Sequence, residues 1–177
     1  MNPTPTSTRA SAGRHTEDQY QPNLHALRLD EKLKVAATCL DDQLTSRLTT
    51  YLRMRPSDAF EHACQDLPDT CRGDDYARVL FQLTSQTDGD SATSLALCAG
   101  VICAMLNSKS VDEDDIQLAT HFAKVAIRKF TTHAAERANF SALLKQGLAD
   151  KPFALNYIAG ELEPPEFPGG LATSSTL

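Results

Sequence analysis

The chain has 177 residues, a formal charge of −6 at neutral pH and a pI near 5.3, with 41 % hydrophobic and 23 % charged residues. This length suits one domain with a substantial core. The sequence has no block of basic residues, which argues against broad nucleic-acid binding through phosphates. Its longest apolar run, Leu95–Leu106, stops after twelve residues, short of the roughly 20 that a membrane-spanning helix needs.

The composition favours helices over strands. Alanine and leucine together number 45, whereas valine and isoleucine together number nine. Small and unbranched side chains lose little rotamer freedom in a helix, while β-branched side chains fit pleated strands. We therefore expect an all-α fold whose core consists mainly of Leu and Ala.

The two ends of the chain differ from its middle. Residues 1–22 and residues 160–177 each contain ten Ser, Thr, Pro or Gly. Such segments bury too little apolar surface to offset the entropy of ordering. The sequence predicts two disordered tails around one α-helical domain at 23–159.

Apolar residues spaced three or four apart predict the helices of the first half. A long first helix is expected at about Asn23–Met54, and Pro56 begins a second that ends near Leu67. A loop at 68–73 separates it from a third helix at 74–85. Within the third segment, residues 79–84 also alternate, so a strand remains an alternative there.

The second half predicts three more helices. Residues 91–107 are apolar around most of the helix surface, which is typical of a central helix covered by others. A capping box at Ser110–Glu113 marks the next start. That helix continues to about Ala149, with a break near 131–132 as an alternative, and Pro152 begins a last short helix to Ala159. Together these segments predict a compact bundle of about six helices.

The cysteines indicate the compartment. Their number is odd, and the first twenty residues have no apolar stretch typical of a signal peptide. This pattern predicts reduced, buried thiols and a cytoplasmic location, with secretion lacking a cleavable signal peptide as the alternative. The five lie at positions 39, 64, 71, 98 and 103.

The sequence carries no recognisable catalytic or metal motif. His62, Cys64 and Cys71 lack the paired short spacings of a zinc site. The consecutive acids at 112–115 suit a helix start better than a calcium loop, whose ligands alternate. No nucleophile elbow, zinc-protease motif, phosphate-binding loop or dinucleotide fingerprint occurs. We therefore expect no catalytic, cofactor-binding or metal-binding residues, no cofactor and no enzymatic activity.

The interpretation that remains is a non-enzymatic protein-interaction module: an adaptor, a regulator or an assembly subunit. Its helices have wide apolar faces, and any apolar surface that one bundle cannot bury marks an interface. We expect a protein partner or self-association to use the first helix, through Leu33, Leu40, Leu44 and Tyr51.

Two other functions stay open. The Ser/Thr/Pro-rich start is similar to an export signal, so the chain could be a secreted bacterial effector or its adaptor. Cys64 or Cys71 could instead serve a thiol-dependent enzyme or a redox sensor. Lys124, Arg128 and Lys129 could contact an acidic partner, although their position late in a helix is explained by its dipole.

Overall fold

A computed structural model describes residues 28–86, 89–108 and 111–163 of the chain. All regular secondary structure in these ranges is helical, which confirms the all-α class and excludes a strand at 79–84. The first helix, α1, occupies 28–36 of the described chain. It is followed by α2 (Asp42–Tyr51), α3 (Pro56–Thr70), α4 (Asp75–Ser85), α5 (Ser91–Asn107), α6 (Glu113–Phe130), α7 (Ala134–Gly147) and α8 (Pro152–Leu162).

Helix α5 is the centre of the fold. Every residue from Thr93 to Leu106 is buried, as its apolar surface on all sides predicts. α3, α4, α6 and α7 pack around it, and α3 makes the most extensive contact. Thr93 Oγ1 donates a hydrogen bond to the Met54 carbonyl at 3.2 Å, and Asn107 Nδ2 donates to the Gly147 carbonyl at 2.8 Å. Both ends of α5 are thus tied to neighbouring segments.

The outer helices complete the core. α2 packs on α3, and α8 packs on α6 and α7. α1 buries Ala36 and is linked to α6 by an ion pair between Lys32 and Asp115, with an N···O distance of 3.6 Å. Arg78 of α4 donates from Nε to Thr38 Oγ1 at 2.8 Å, which holds the end of α1 against α4.

The predicted single helix Asn23–Met54 is wrong, because the chain breaks between α1 and α2. Thr38 donates from its backbone N–H and its hydroxyl to the Val35 carbonyl, which closes the end of α1. Asp41 then caps α2 by accepting a hydrogen bond from Leu44 N at 2.8 Å. This break and the division of a later helix at 131–133 give eight helices in the described ranges.

Other boundaries also differ from the sequence prediction. α3 was expected to end near Leu67, but it continues through Pro68 and ends at Thr70. A proline inside a helix removes one backbone hydrogen bond. The extensive packing of α3 on α5 offsets this loss. The helix expected to reach Ala149 is divided at 131–133 into α6 and α7, which confirms the alternative of a break near 131–132. α8 continues to Leu162, three residues into the segment predicted as the C-terminal tail. Residues 164–177 of that tail, the N-terminal tail at 1–22 and residues 23–27 lie outside the described residues.

The cap of α6 lies two residues after the predicted one. Asp112 Oδ1 accepts from Asp115 N at 2.9 Å, and Asp115 Oδ2 accepts from Asp112 N at 3.3 Å. Ser110, the predicted cap, lies outside the described residues. The acids at 112–115 therefore serve the helix start, where negative charge is favourable.

Asp112→Ala is expected to lower the free energy of unfolding by about 1 kcal/mol, because the N–H of Asp115 loses its acceptor. Asp112→Asn keeps a side-chain oxygen at this position and serves as the matched control. Urea denaturation followed by circular dichroism measures both variants. Equal stability of the alanine and asparagine variants would contradict the capping role.

Candidate functional site

The structure divides the four residues expected to contact a partner. Leu44 and Tyr51 are buried in the core, at 2 % and 3 % exposure, whereas Leu33 and Leu40 are half-buried against it. The Tyr51 hydroxyl donates to Asp66 Oδ2 at 3.1 Å, and burial is the main cause that raises the pKa of Tyr51. The interaction role of this set stays a prediction, with Leu33 and Leu40 as the members that reach the surface.

The most exposed large apolar side chains of the described ranges lie elsewhere. Phe153 is 75 % exposed and Tyr157 is 39 % exposed, and both belong to α8. Residues four apart lie on the same face of a helix, so the two rings form one surface, which we call the α8 patch. On the other face, Ala154 and Ile158 are buried against the core. α8 is therefore apolar on its buried face and also carries an aromatic stripe toward solvent.

A small cleft with a mixed polar and apolar lining lies among α1, α4, α5 and α6. Its volume is about 270 Å³, and its lining includes Lys32, Asp74, Tyr76, Ser108 and Asp115. The Tyr76 hydroxyl is buried and has no hydrogen-bond partner among the described residues. Burial is the main cause that raises the pKa of Tyr76 and of Asp115. A water molecule or a small polar group in the cleft would satisfy the tyrosine hydroxyl.

The basic residues of α6 do not form one anion site. Lys124 Nζ lies 2.9 Å from Glu161 Oε2, and Lys129 donates to the Thr84 carbonyl. Arg128 is exposed and lines a shallow cleft together with Lys124, Arg137 and Glu161. Of the three charges that the sequence grouped, Lys124 and Arg128 thus share one cleft, and Lys129 is engaged elsewhere.

The residues considered for zinc are also engaged separately. His62 Nδ1 lies 3.3 Å from Asp66 Oδ2, and its ring stacks on Tyr51. Cys71 is buried, and this burial raises its pKa to about 12. Cys64 instead interacts with Cys103. Within 28–86, 89–108 and 111–163, no group of three or more His, Cys, Asp or Glu side chains is arranged to hold a metal ion.

Sequence reasoning missed the two features of greatest chemical interest. The α8 patch had a signal, since Phe153 and Tyr157 alternate with Ala154 and Ile158 at helical spacing after Pro152. The pairing of Cys64 with Cys103 had none, because the two residues lie on different helices and their contact depends on how α3 crosses α5.

Comparisons of the chain with protein-family models, with curated proteins and with solved structures find no match. In the part of the chain that the structure describes, no helix combines the length and the apolar character needed to cross a bilayer.

Proposed function

We propose that the chain is a non-enzymatic protein-interaction module, acting as an adaptor, a regulator or an assembly subunit, and that the α8 patch is its contact surface. The proposal rests on the 75 % exposure of Phe153 beside the half-exposed Tyr157. Single exposed apolar residues are ordinary, but adjacent aromatic rings give a larger apolar surface that a partner can cover. Tyr and Phe are enriched at the centres of protein interfaces.

The shape of α8 suggests how a partner would bind. Aromatic anchors one turn apart on the exposed face of a helix fit an apolar groove on another protein, where each ring fills its own pocket. The Tyr157 hydroxyl can keep a hydrogen bond at the edge of such a groove. Asn156 and Gly160 are exposed along the same helix, so no bulky apolar side chain at these positions blocks the approach. A protein with an apolar groove, or a second copy of this chain, fits this chemistry.

The double variant Phe153→Ala/Tyr157→Ala tests the contact surface. It is expected to weaken binding by at least about 2 kcal/mol, or roughly thirtyfold, because buried aromatic anchors carry a large share of interface energy. Sedimentation velocity over a range of concentrations measures self-association. Affinity capture with the wild type and the double variant in parallel measures binding to other proteins.

Phe81→Ala is the matched control, since Phe81 is a 36 % exposed aromatic residue on α4. If the α8 patch is the contact surface, Phe81→Ala should associate like the wild type, and Phe153→Ala/Tyr157→Ala should lose this association. Equal losses in both, or unchanged association of the double variant, would contradict the α8 patch as the contact surface.

The proposal includes a cytoplasmic location. All five cysteines are free thiols in the fold, and free thiols persist in reducing compartments. Cell fractionation tests this part, and recovery of the protein only outside the cell would contradict it.

A further inference from the structure

The most extensive contact between helices in the core lies where α3 crosses α5. A Cβ atom placed on Gly100 would lie 2.8 Å from the Ala63 Cβ and 2.9 Å from the Phe60 carbonyl oxygen. The backbones of α3 and α5 can therefore come this close because Gly100 has no side chain. Cys64 follows Ala63, and its Sγ lies 3.7 Å from the Gly100 carbonyl oxygen.

Cys103 lies on the same face of α5 as Gly100, because residues three apart on a helix are neighbours. The Cys64 Sγ, which donates to the Gly100 carbonyl oxygen, therefore lies beside the turn of α5 that carries Cys103, and the two thiols are close enough to shift each other's pKa. Cys64 is half-buried, whereas Cys103 is fully buried. One thiol can meet a reagent from solvent, and the other is held behind it.

The electrostatics of the pair are unequal. The interaction with Cys103 lowers the pKa of Cys64. The same interaction, followed by burial, raises the pKa of Cys103. Cys64 is also the thiol of the pair that is partly exposed to solvent. Because the thiolate is the reactive form, Cys64 is the nucleophile of the pair and Cys103 is the thiol that attacks second.

We propose that Cys64 and Cys103 form a reversible disulfide when the protein meets a peroxide. The Cys64 thiolate attacks one oxygen of the peroxide and breaks the O–O bond, which gives a sulfenic acid on Cys64 and a hydroxide that solvent protonates. Cys103 then attacks the Cys64 sulfur as the S–O bond breaks, and its proton leaves with the hydroxide as water. Overall, two thiols lose two electrons and two protons, and hydrogen peroxide becomes two waters.

The remaining cysteines are placed differently. Burial raises the pKa of Cys71 and of Cys98 to about 12, so neither supplies much thiolate at neutral pH. Cys39 is exposed near the end of α1 and is open to reaction on its own. The proposal therefore predicts a single disulfide among the five cysteines, between Cys64 and Cys103.

The experiment treats the reduced, full-length protein with hydrogen peroxide and counts thiols after denaturation. Replacing Cys39 by Ala beforehand avoids its separate oxidation. In this background four thiols are expected to fall to two, and dithiothreitol should restore them. Cys71→Ala and Cys98→Ala, added to the same chain, leave one cysteine in each tryptic peptide, so mass spectrometry can identify the Cys64–Cys103 link directly.

Two single variants in the Cys39→Ala background complete the test. Cys64→Ser should lose no thiols under the same dose, while Cys71→Ala should lose two, as its parent does. The linked protein should also unfold at a higher denaturant concentration than the reduced protein, since a cross-link restricts the unfolded chain. Oxidation of Cys64 to a sulfinic acid with Cys103 still reduced, or a link from Cys64 to another cysteine, would overturn the proposal.

Discussion

Gly100→Ala is expected to lower the free energy of unfolding by about 3 kcal/mol, the upper part of the range for overpacking a core. The added methyl group would meet the Ala63 Cβ at 2.8 Å and the Phe60 carbonyl oxygen at 2.9 Å. These atoms cannot rotate away as the end of a long side chain could. The strain must therefore move α3 away from α5 and weaken the most extensive helix contact of the fold. Guanidinium denaturation monitored by circular dichroism measures the loss.

Gly160→Ala is the matched control for this substitution. Gly160 lies in α8, is exposed, and has no atom within 4 Å of an added Cβ. Alanine is the better helix former, so this variant should gain about 0.5–1 kcal/mol. The two substitutions are chemically identical and should differ in sign. A neutral Gly100→Ala would show that the two helices do not approach as closely as described.

Phe140→Ala is expected to cost about 3–5 kcal/mol, as large truncations in a packed core do. Phe140 is fully buried, and it is one of only two buried residues within α7, the other being Leu144. The phenyl ring thus provides a large part of the apolar surface by which α7 packs against α5. Its loss should both open a cavity and loosen α7.

The comparison for this prediction is Phe153→Ala, which removes the same ring from a site that is 75 % exposed. This variant should change the free energy of unfolding by less than about 0.5 kcal/mol, as surface substitutions usually do. Chemical denaturation of both variants measures the change in the free energy of unfolding. Because both replace Phe by Ala, a difference between them reports the effect of burial and not of residue type. A large loss for Phe153→Ala, or a small one for Phe140→Ala, would contradict the placement of α7 or α8.

The fold class and the central helix could be predicted from the sequence. The apolar residues of 91–107 surround the whole helix, and such a segment has no stable place except the interior. The breaks were harder to predict, because the apolar spacing from Leu33 to Tyr51 continues through the end of α1. Only Asp41, placed three residues before Leu44, indicated a second helix start. At Pro68 the sequence predicted the end of a helix that in fact continues, since tertiary packing extends α3 to Thr70.

The candidate sites could be predicted less well, for a reason of geometry. Sequence spacing places residues on a face of one helix but does not determine which face a neighbouring helix covers. Leu33, Leu40, Leu44 and Tyr51 follow one helical spacing, yet α1 and α2 are separate helices, and Leu44 and Tyr51 are buried. Cys64 and Cys103 share no sequence pattern because their contact depends on a crossing that Gly100 permits.

The enclosure of α5 has a consequence for how this protein loses its structure. Four other helices bury their apolar faces on α5. If α5 leaves the fold, none of these helices retains a packed core. A partly unfolded state, in which half of the domain keeps its structure, is therefore not expected to be stable. The domain should melt as a single cooperative unit, and a fragment that lacks 91–107 should remain unfolded.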